Sequence, residues 1–210
     1  MRKFLLIAGL STLIIFTGKK ANPFEPVKKS IHQIESEANQ KKVLFIIAHR
    51  NFQDEEYAKP RKILEDAGFQ VIVASSDTSI AKGMWKTEVK PDFLLSERIK
   101  IDDYSAVVFI GGSGSNEYWE NPQAHKIARA AQEKDKVIGA ICIAPVTLAK
   151  AGLLKGKKAT VWSSCAKELK RCGAKYTKED LQVDGKIVTA SGPKVAEKFG
   201  EAILKLLLKK

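Results

Sequence analysis

Residues 137–141, Val-Ile-Gly-Ala-Ile, constrain this chain more than any other stretch. A short apolar run with no polar alternation reads as a strand covered on both faces, the situation of a central strand in a parallel sheet flanked by helices. The run stops at Cys142, and Thr147, Leu148 and Ala149 begin a helical pattern. Cys142 is therefore expected on a strand-to-helix turn at the carboxyl end of a sheet. Such a turn exposes a side chain and aims the amides of a helix N-terminus at it, which stabilises a thiolate. This is the nucleophile-elbow arrangement with Cys in place of Ser. The competing reading of the same position is a small buried core residue, the usual setting of a free Cys.

The rest of the chain alternates in the same way. Residues 43–48 form a continuous apolar strand, 49–53 a loop, and Asp54-Glu55-Glu56 opens a helix ending near Gly68. Acidic residues suit a first helical turn. Pro60 lies inside that helix, and its ring opposes the carbonyl of Glu56, where a bend is expected. Residues 71–75 form the next strand, 84–89 an edge excursion, and 106–110 a third buried strand running into Gly111-Gly112-Ser113-Gly114-Ser115. That turn has neither the Gly-x-Gly-x-x-Gly spacing nor a P-loop Lys, so nucleotide binding is not expected. Ala124, Ile127, Ala128 and Ala131 mark one face of a helix. A strand over 159–162 follows the elbow, then two short strands about Asp184-Gly185 that end near Ala190. Ser191-Gly192-Pro193 leads into a last helix with Val195, Phe199, Ala202, Ile203, Leu206 and Leu207 on one side. The order predicts an α/β fold with a doubly wound, mainly parallel sheet and helices on both faces, whose ligands bind at the carboxyl ends of the strands. His49, Gly111, Gly112, Cys142 and Ser191 should gather at that edge.

Composition sets the outer limits. The chain has 210 residues, 44% of them apolar, enough for one α/β domain. Its formal charge is +12, from 36 basic and 24 acidic side chains. The excess is scattered, with short clusters such as Lys155, Lys157 and Lys158, and no basic block is interleaved with aromatics. No nucleic-acid partner is expected; solubility or weak attraction to an anionic membrane surface explains the charge. Arg2 and Lys3 precede an apolar run over 4–16, then Thr17, Gly18 and two lysines. Residues 1–18 thus read as a secretory signal or N-terminal anchor, and the protein as exported, periplasmic or extracytoplasmic. Phe16 makes a poor cleavage site, and the run is shorter than the ~20 residues of a spanning helix, so an uncleaved membrane tether is the second reading. Residues 19–42 read as a flexible tether and 43–210 as the domain. In an oxidising compartment one of three cysteines stays free, and Cys142 is the natural one. If helical, Cys165 and Cys172 would lie ~10 Å apart, too far for a disulfide. Neither a metal nor a cofactor is expected.

Four features together, Phe52-Gln-Asp-Glu-Glu56 with Pro60, the strand ending in Gly111-Gly112, Ala140-Ile-Cys142-Ile-Ala-Pro145, and Ser191-Gly-Pro193, resemble the DJ-1/PfpI superfamily. The resemblance runs from residue 43 to about 208 and implies a flavodoxin-like fold of the class I glutamine amidotransferase type. It also implies that Cys142 is a reactive, easily oxidised nucleophile, that the Glu56 carboxyl bonds its sulfur, and that the amides of Gly112 and Ile143 hold an oxyanion. A carboxyl in contact with a thiolate should be protonated, with the Glu pKa raised and the Cys pKa lowered. Without the resemblance, Glu56 would simply complement its helix dipole. The departures carry information too. Protease-like members have His after the Cys, where this chain has Ile143, which disfavours a Cys-His protease. Asn116, with Glu117 beside it, stands where some members place an acidic residue, and Trp162 replaces a His. His32 falls in the tether and His125 on the solvated side of a helix, leaving His49 as the only His placed to reach the site.

These residues predict a thiolate that attacks a small-molecule electrophile or oxidant. With a 2-oxoaldehyde the product would be a hemithioacetal, resolved by proton transfer through Glu56, and glyoxalase- or deglycase-like activity is what the resemblance suggests. The alternative is a non-enzymatic redox sensor or stress chaperone in which Cys142 stops at sulfinate. A binding module with an inert Cys is the third reading. Many members of the superfamily self-associate, so a homodimer is expected.

Overall fold

The computed structural model describes residues 41–96 and 98–209. The predicted signal or anchor at 1–18 and all but the last two residues of the predicted tether lie outside the described residues. In chain order the elements are β1 (Lys42–Ile46), β2 (Arg50–Phe52), α1 (Asp54–Asp66), β3 (Gln70–Ser75), β4 (Ala81–Gly83), β5 (Glu88–Val89), β6 (Phe93–Leu94) and β7 (Ala106–Phe109). They continue with α2 (Pro122–Glu133), β8 (Val137–Ile141), α3 (Pro145–Lys150), β9 (Lys158–Ala159), α4 (Ala166–Arg171), β10 (Lys175–Tyr176), β11 (Leu181–Asp184), β12 (Ile187–Ala190) and α5 (Ala196–Leu208).

Seven strands form the central sheet in the order β11-β12-β8-β7-β1-β3-β6. All neighbours pair in parallel except β11, which folds back antiparallel on β12 through the Asp184-Gly185 turn. The two-residue period of a strand divides its side chains between two cores. Leu44, Ile46, Val107, Phe109, Ile138 and Ala140 point to the face that carries α2, α3 and α4. Val43, Phe45, Ala106, Val108, Val137 and Ile141 point to the face that carries α1 and α5, where Tyr57, Leu64, Phe199 and Ile203 meet them. Each fully buried Val, Leu, Ile or Phe among them contributes roughly 1.5–3 kcal/mol. The doubly wound sheet with helices on both faces is thus the arrangement the strand and helix pattern predicts.

Several local expectations need correction. Residues 49–53 are not a simple loop: β2 pairs in parallel with β4, and β4 pairs antiparallel with β5, giving a separate three-stranded sheet. The excursion expected at 84–89 is this hairpin, with Met84–Thr87 forming its turn. The strand expected at 159–162 is only two residues, β9, paired with β10 outside the central sheet. The cause is that the amides beyond it bond elsewhere, Thr160 donating to Thr189 Oγ1 at 2.9 Å and Trp162 to the Cys142 carbonyl at 2.8 Å. Helix α3 starts at Pro145 and is only six residues long. Helix α1 runs on through Pro60 as one element. Cys165 and Cys172 flank α4 rather than lying within it, and all three cysteines are free. Among the described residues no helix is long and apolar enough to cross a membrane.

The carboxyl edge of the sheet is tied together by Tyr118. Its buried hydroxyl donates to the Ile47 carbonyl after β1 at 2.8 Å and accepts the Ser76 amide after β3 at 3.0 Å. Replacing it by Phe leaves two backbone groups unsatisfied at nearly constant shape. Tyr118→Phe should therefore lower the unfolding free energy by about 1–3 kcal/mol in a urea titration, with an unchanged m-value.

Candidate active site

Cys142 follows the last residue of β8 and takes φ +62°, a left-handed conformation that costs a non-glycine residue energy and persists only where its surroundings enforce it. Two backbone bonds do so. The Cys142 amide donates to the Ala190 carbonyl at 2.9 Å, and its carbonyl accepts the Trp162 amide at 2.8 Å. The side chain is turned off the sheet into a cavity of about 480 Å3, yet Cys142 is only 8% exposed.

Glu56 meets it from the first turn of α1. Gln53 caps this helix, its Oε1 accepting the Glu56 amide at 2.7 Å. The Glu56 side chain is completely buried, and neither carboxyl oxygen makes a well-aligned hydrogen bond. Its polar neighbours are the Cys142 thiol and the Gly111 amide. The close approach requires glycine at 111, since a Cβ there would overlap Glu56 Oε2 and Cys142 Cβ. At Gly112, φ +101° brings the chain against Asn51 and Gln53 and lets its amide reach the sulfur, as the Ile143 amide does from the other side.

The protonation of the pair follows from burial. Burial raises the Glu56 pKa to about 8, outweighing the opposing pull of the Cys142 and Gly111 contacts, so the carboxyl is neutral at pH 7. The thiol is also pushed up, to about 12, first by burial and then by the charge Glu56 would carry; the Gly112 and Ile143 amides act the other way. A lowered Cys pKa, expected on charge grounds, is thus overridden by desolvation. The two groups titrate as a pair, sharing one proton above about pH 8. With that proton on Glu56, the charge sits on a sulfur facing two amides.

The other predicted neighbours divide into two groups. Gly112, Asn116, Ile143 and Trp162 line the cavity with Cys142. His49, Glu117 and Ser191 do not. The His49 amide donates to Glu117 Oε1 at 3.2 Å, its Nε2 lies 3.5 Å from Ser79 Oγ, and Glu117 also accepts Ser76 Oγ. Ser191 Oγ donates to Asp180 Oδ1 at 3.0 Å. His125 is not on a solvated face: it is half-buried, with Nε2 2.8 Å from the Trp119 carbonyl. Gln53, Met84, Trp85, Trp119, Ser164 and Cys165 also line the cavity and escaped the sequence reading. One signal could have found some of them: all three tryptophans of the chain are here. Asp54 was read only as a dipole partner, but its buried carboxylate accepts the amides of Trp85 and Thr87, both at 2.9 Å, and so holds the β4–β5 turn against the site. Among the described residues no group of three His, Cys, Asp or Glu side chains could hold a metal ion.

Comparison with known proteins gives a consistent picture. Residues 41–206 match the DJ-1/PfpI family. An uncharacterized protein of Methanocaldococcus jannaschii is 40% identical over 171 residues, 80% of this chain and 83% of the relative. A Pyrococcus furiosus protein named Deglycase PfpI is 30% identical over 152 residues, 72% of this chain and 90% of the relative. The crystal structure of a ThiJ/PfpI domain protein from Brachyspira murdochii superposes with a TM-score of 0.77 at 30% identity, covering 80% of this chain and 96% of that one.

The raised Glu56 pKa fixes the sign of a pH effect. Between its usual 4.5 and about 8, the folded chain keeps a proton that the unfolded chain has released. Stability should therefore fall as pH rises through that window, by up to about 1.4 kcal/mol per pH unit. In Glu56→Gln this contribution vanishes, so urea unfolding at a series of pH values should show a flatter slope for the variant.

Proposed function

The chain belongs to the DJ-1/PfpI family, and on that premise we propose that Cys142 is the nucleophile of a glyoxalase- or deglycase-like reaction on small 2-oxoaldehydes. One observation carries the reading: the Cys142 sulfur, at the wall of the cavity, meets the buried, proton-bearing carboxyl of Glu56 behind it and two backbone amides. The relatives named deglycase, at 30% and 29% identity, point the same way.

The steps follow from the groups present. In the state of the pair that carries one proton, the Glu56 carboxylate takes it from the thiol; the thiolate attacks the aldehyde carbon, a C–S bond forms, and the carbonyl π pair moves to oxygen. That oxygen faces the Gly112 and Ile143 amides and takes the proton of Glu56, giving a neutral hemithioacetal and a Glu56 carboxylate. The carboxylate then removes the proton from the former aldehyde carbon, leaving an enediolate, and Glu56 returns it to the neighbouring carbon as the hydroxyl proton passes from the first oxygen to the second, giving the thioester of a 2-hydroxy acid. Water cleaves the thioester, releasing the acid and restoring the thiol. A base with a pKa of about 8 is suited to this traffic near neutral pH. Ile143 cannot take a proton, which keeps a Cys-His protease mechanism out of the proposal.

The same three donors fit a sulfinate, the product of the competing redox reading. The two diverge in one assay. Methylglyoxal should be converted to lactate by the wild-type protein, not by Cys142→Ala, and about 100-fold more slowly by Glu56→Gln, which keeps the shape and loses the proton carrier. Stoichiometric oxidation of Cys142 without turnover would favour the sensor. The proposal also has this site delivered outside the cytoplasm by residues 1–18, cleaved or retained as a tether, and working as a homodimer, which light scattering of the protein would test.

A further inference from the structure

The wall around Cys142 narrows the substrate beyond "a small aldehyde". Trp85, Trp119 and Trp162, together with Met84 and Ile143, make most of it apolar. Each tryptophan is anchored to the catalytic frame. The Trp85 amide bonds Asp54, two residues before Glu56. Trp119 Nε1 donates to the Ile143 carbonyl at 3.2 Å, and the Trp162 amide bonds the Cys142 carbonyl. Trp85 is nevertheless 62% exposed and Trp162 46% exposed, so faces of both remain uncovered. Among the described residues lining the cavity there is no Lys, Arg, His, Asp or Glu.

A second, independent observation concerns Gln53, which lines the same cavity and is only 5% exposed. Its Oε1 is committed to the Glu56 amide, which fixes the orientation of the side-chain amide. Nε2 is thereby left as a buried donor without a partner. A buried donor left unmatched is costly, and a substrate oxygen would relieve it. An anionic substrate would find no cation in this wall and would face the electron-rich surfaces of indoles, a desolvated setting that disfavours negative charge.

We propose that the site selects uncharged carbonyl compounds carrying an aromatic or similarly flat apolar group, that the tryptophans pack against that group, and that Gln53 Nε2 donates to the oxygen beside the reacting carbon. The inference rests on Cys142 as nucleophile, but it makes its own demand. Phenylglyoxal, methylglyoxal and the anionic 4-carboxyphenylglyoxal are compared as substrates, with the rate in Cys142→Ala subtracted to remove the reaction of arylglyoxals with arginines. The expected kcat/KM for phenylglyoxal exceeds that for methylglyoxal about tenfold and that for 4-carboxyphenylglyoxal about 100-fold. Trp85→Ala should shrink the phenyl-to-methyl ratio about tenfold. Gln53→Glu keeps the acceptor for the Glu56 amide and removes the donor, so its kcat/KM for phenylglyoxal should fall at least tenfold.

4-Carboxyphenylglyoxal used as well as phenylglyoxal would overturn the inference while leaving the nucleophile in place. If the wild-type protein turns over none of the three, the proposed reaction fails, and binding decides the specificity alone. Cys142→Ala is then titrated with mandelamide and with mandelate, which differ in charge but hardly in shape, using the fluorescence of the three cavity tryptophans. At least tenfold tighter binding of mandelamide upholds the inference; equal or reversed affinity overturns it.

Discussion

The structure depends on one enforced contact, a fully buried carboxyl of Glu56 held against the sulfur of Cys142. Burying a carboxyl without a well-aligned partner costs free energy, and the chain keeps it there by over-determining both ends. At one end, Gln53 caps the first turn of α1, and that helix packs against α5 and the sheet through Tyr57 and Leu64. At the other, Cys142 is fixed in a left-handed conformation by bonds to Ala190 and Trp162, so its side chain has no route back into the sheet. Between them Gly111 leaves out the one atom that would keep the groups apart. The acid then stays neutral because the surroundings are dry, and a neutral acid beside a thiol is a proton source rather than a repelling charge.

Much of this was legible in the sequence because it is written in local pattern. The apolar runs of β1, β7 and β8 are long enough to show burial on both faces, and their abrupt ends place Gly111, Gly112 and Cys142 at one edge. Glu56 was legible only through resemblance, since a Glu in a first helical turn has an ordinary explanation. What escaped reading depends on distant partners. β2, β4 and β5 are two or three residues each, too short for a two-residue period to declare itself, and they exist because they pair with one another. Residues 159–162 carry strand-like side chains, but their amides are drawn to Thr189 and Cys142, which no local pattern records. His49 and Ser191 do follow strands, as read, yet the His49 ring lies by Ser79 and the Ser191 hydroxyl bonds Asp180, and neither lines the cavity around the sulfur. The Cys142 pKa runs opposite to the charge-based expectation for a related reason: sequence shows which charges are near, while desolvation depends on how completely the chain closes over them.

Two carboxylates on one helical turn show why the cavity and the chemistry are a single construction. Asp54 and Glu56 are two residues apart and both buried, but their surroundings drive them in opposite directions. Burial tends to raise the Asp54 pKa, yet the hydrogen bonds from Thr87 and Trp85 hold it below its usual value. No such donors reach Glu56 in good geometry, and burial prevails. One acid is thus kept ionised, holding a backbone turn, while the other is kept neutral, a division set by environment rather than residue type. Because the ionised one holds the turn that bears Trp85, any shift of α1 moves the Glu56 carboxyl and the aromatic wall together. In the proposed reaction, the position of a carbonyl substrate relative to the sulfur therefore depends on the backbone bonds that hold α1 and the β4–β5 turn together. A substitution at Asp54 that spared the fold would be expected to disturb substrate orientation before it disturbed the reactivity of Cys142 itself.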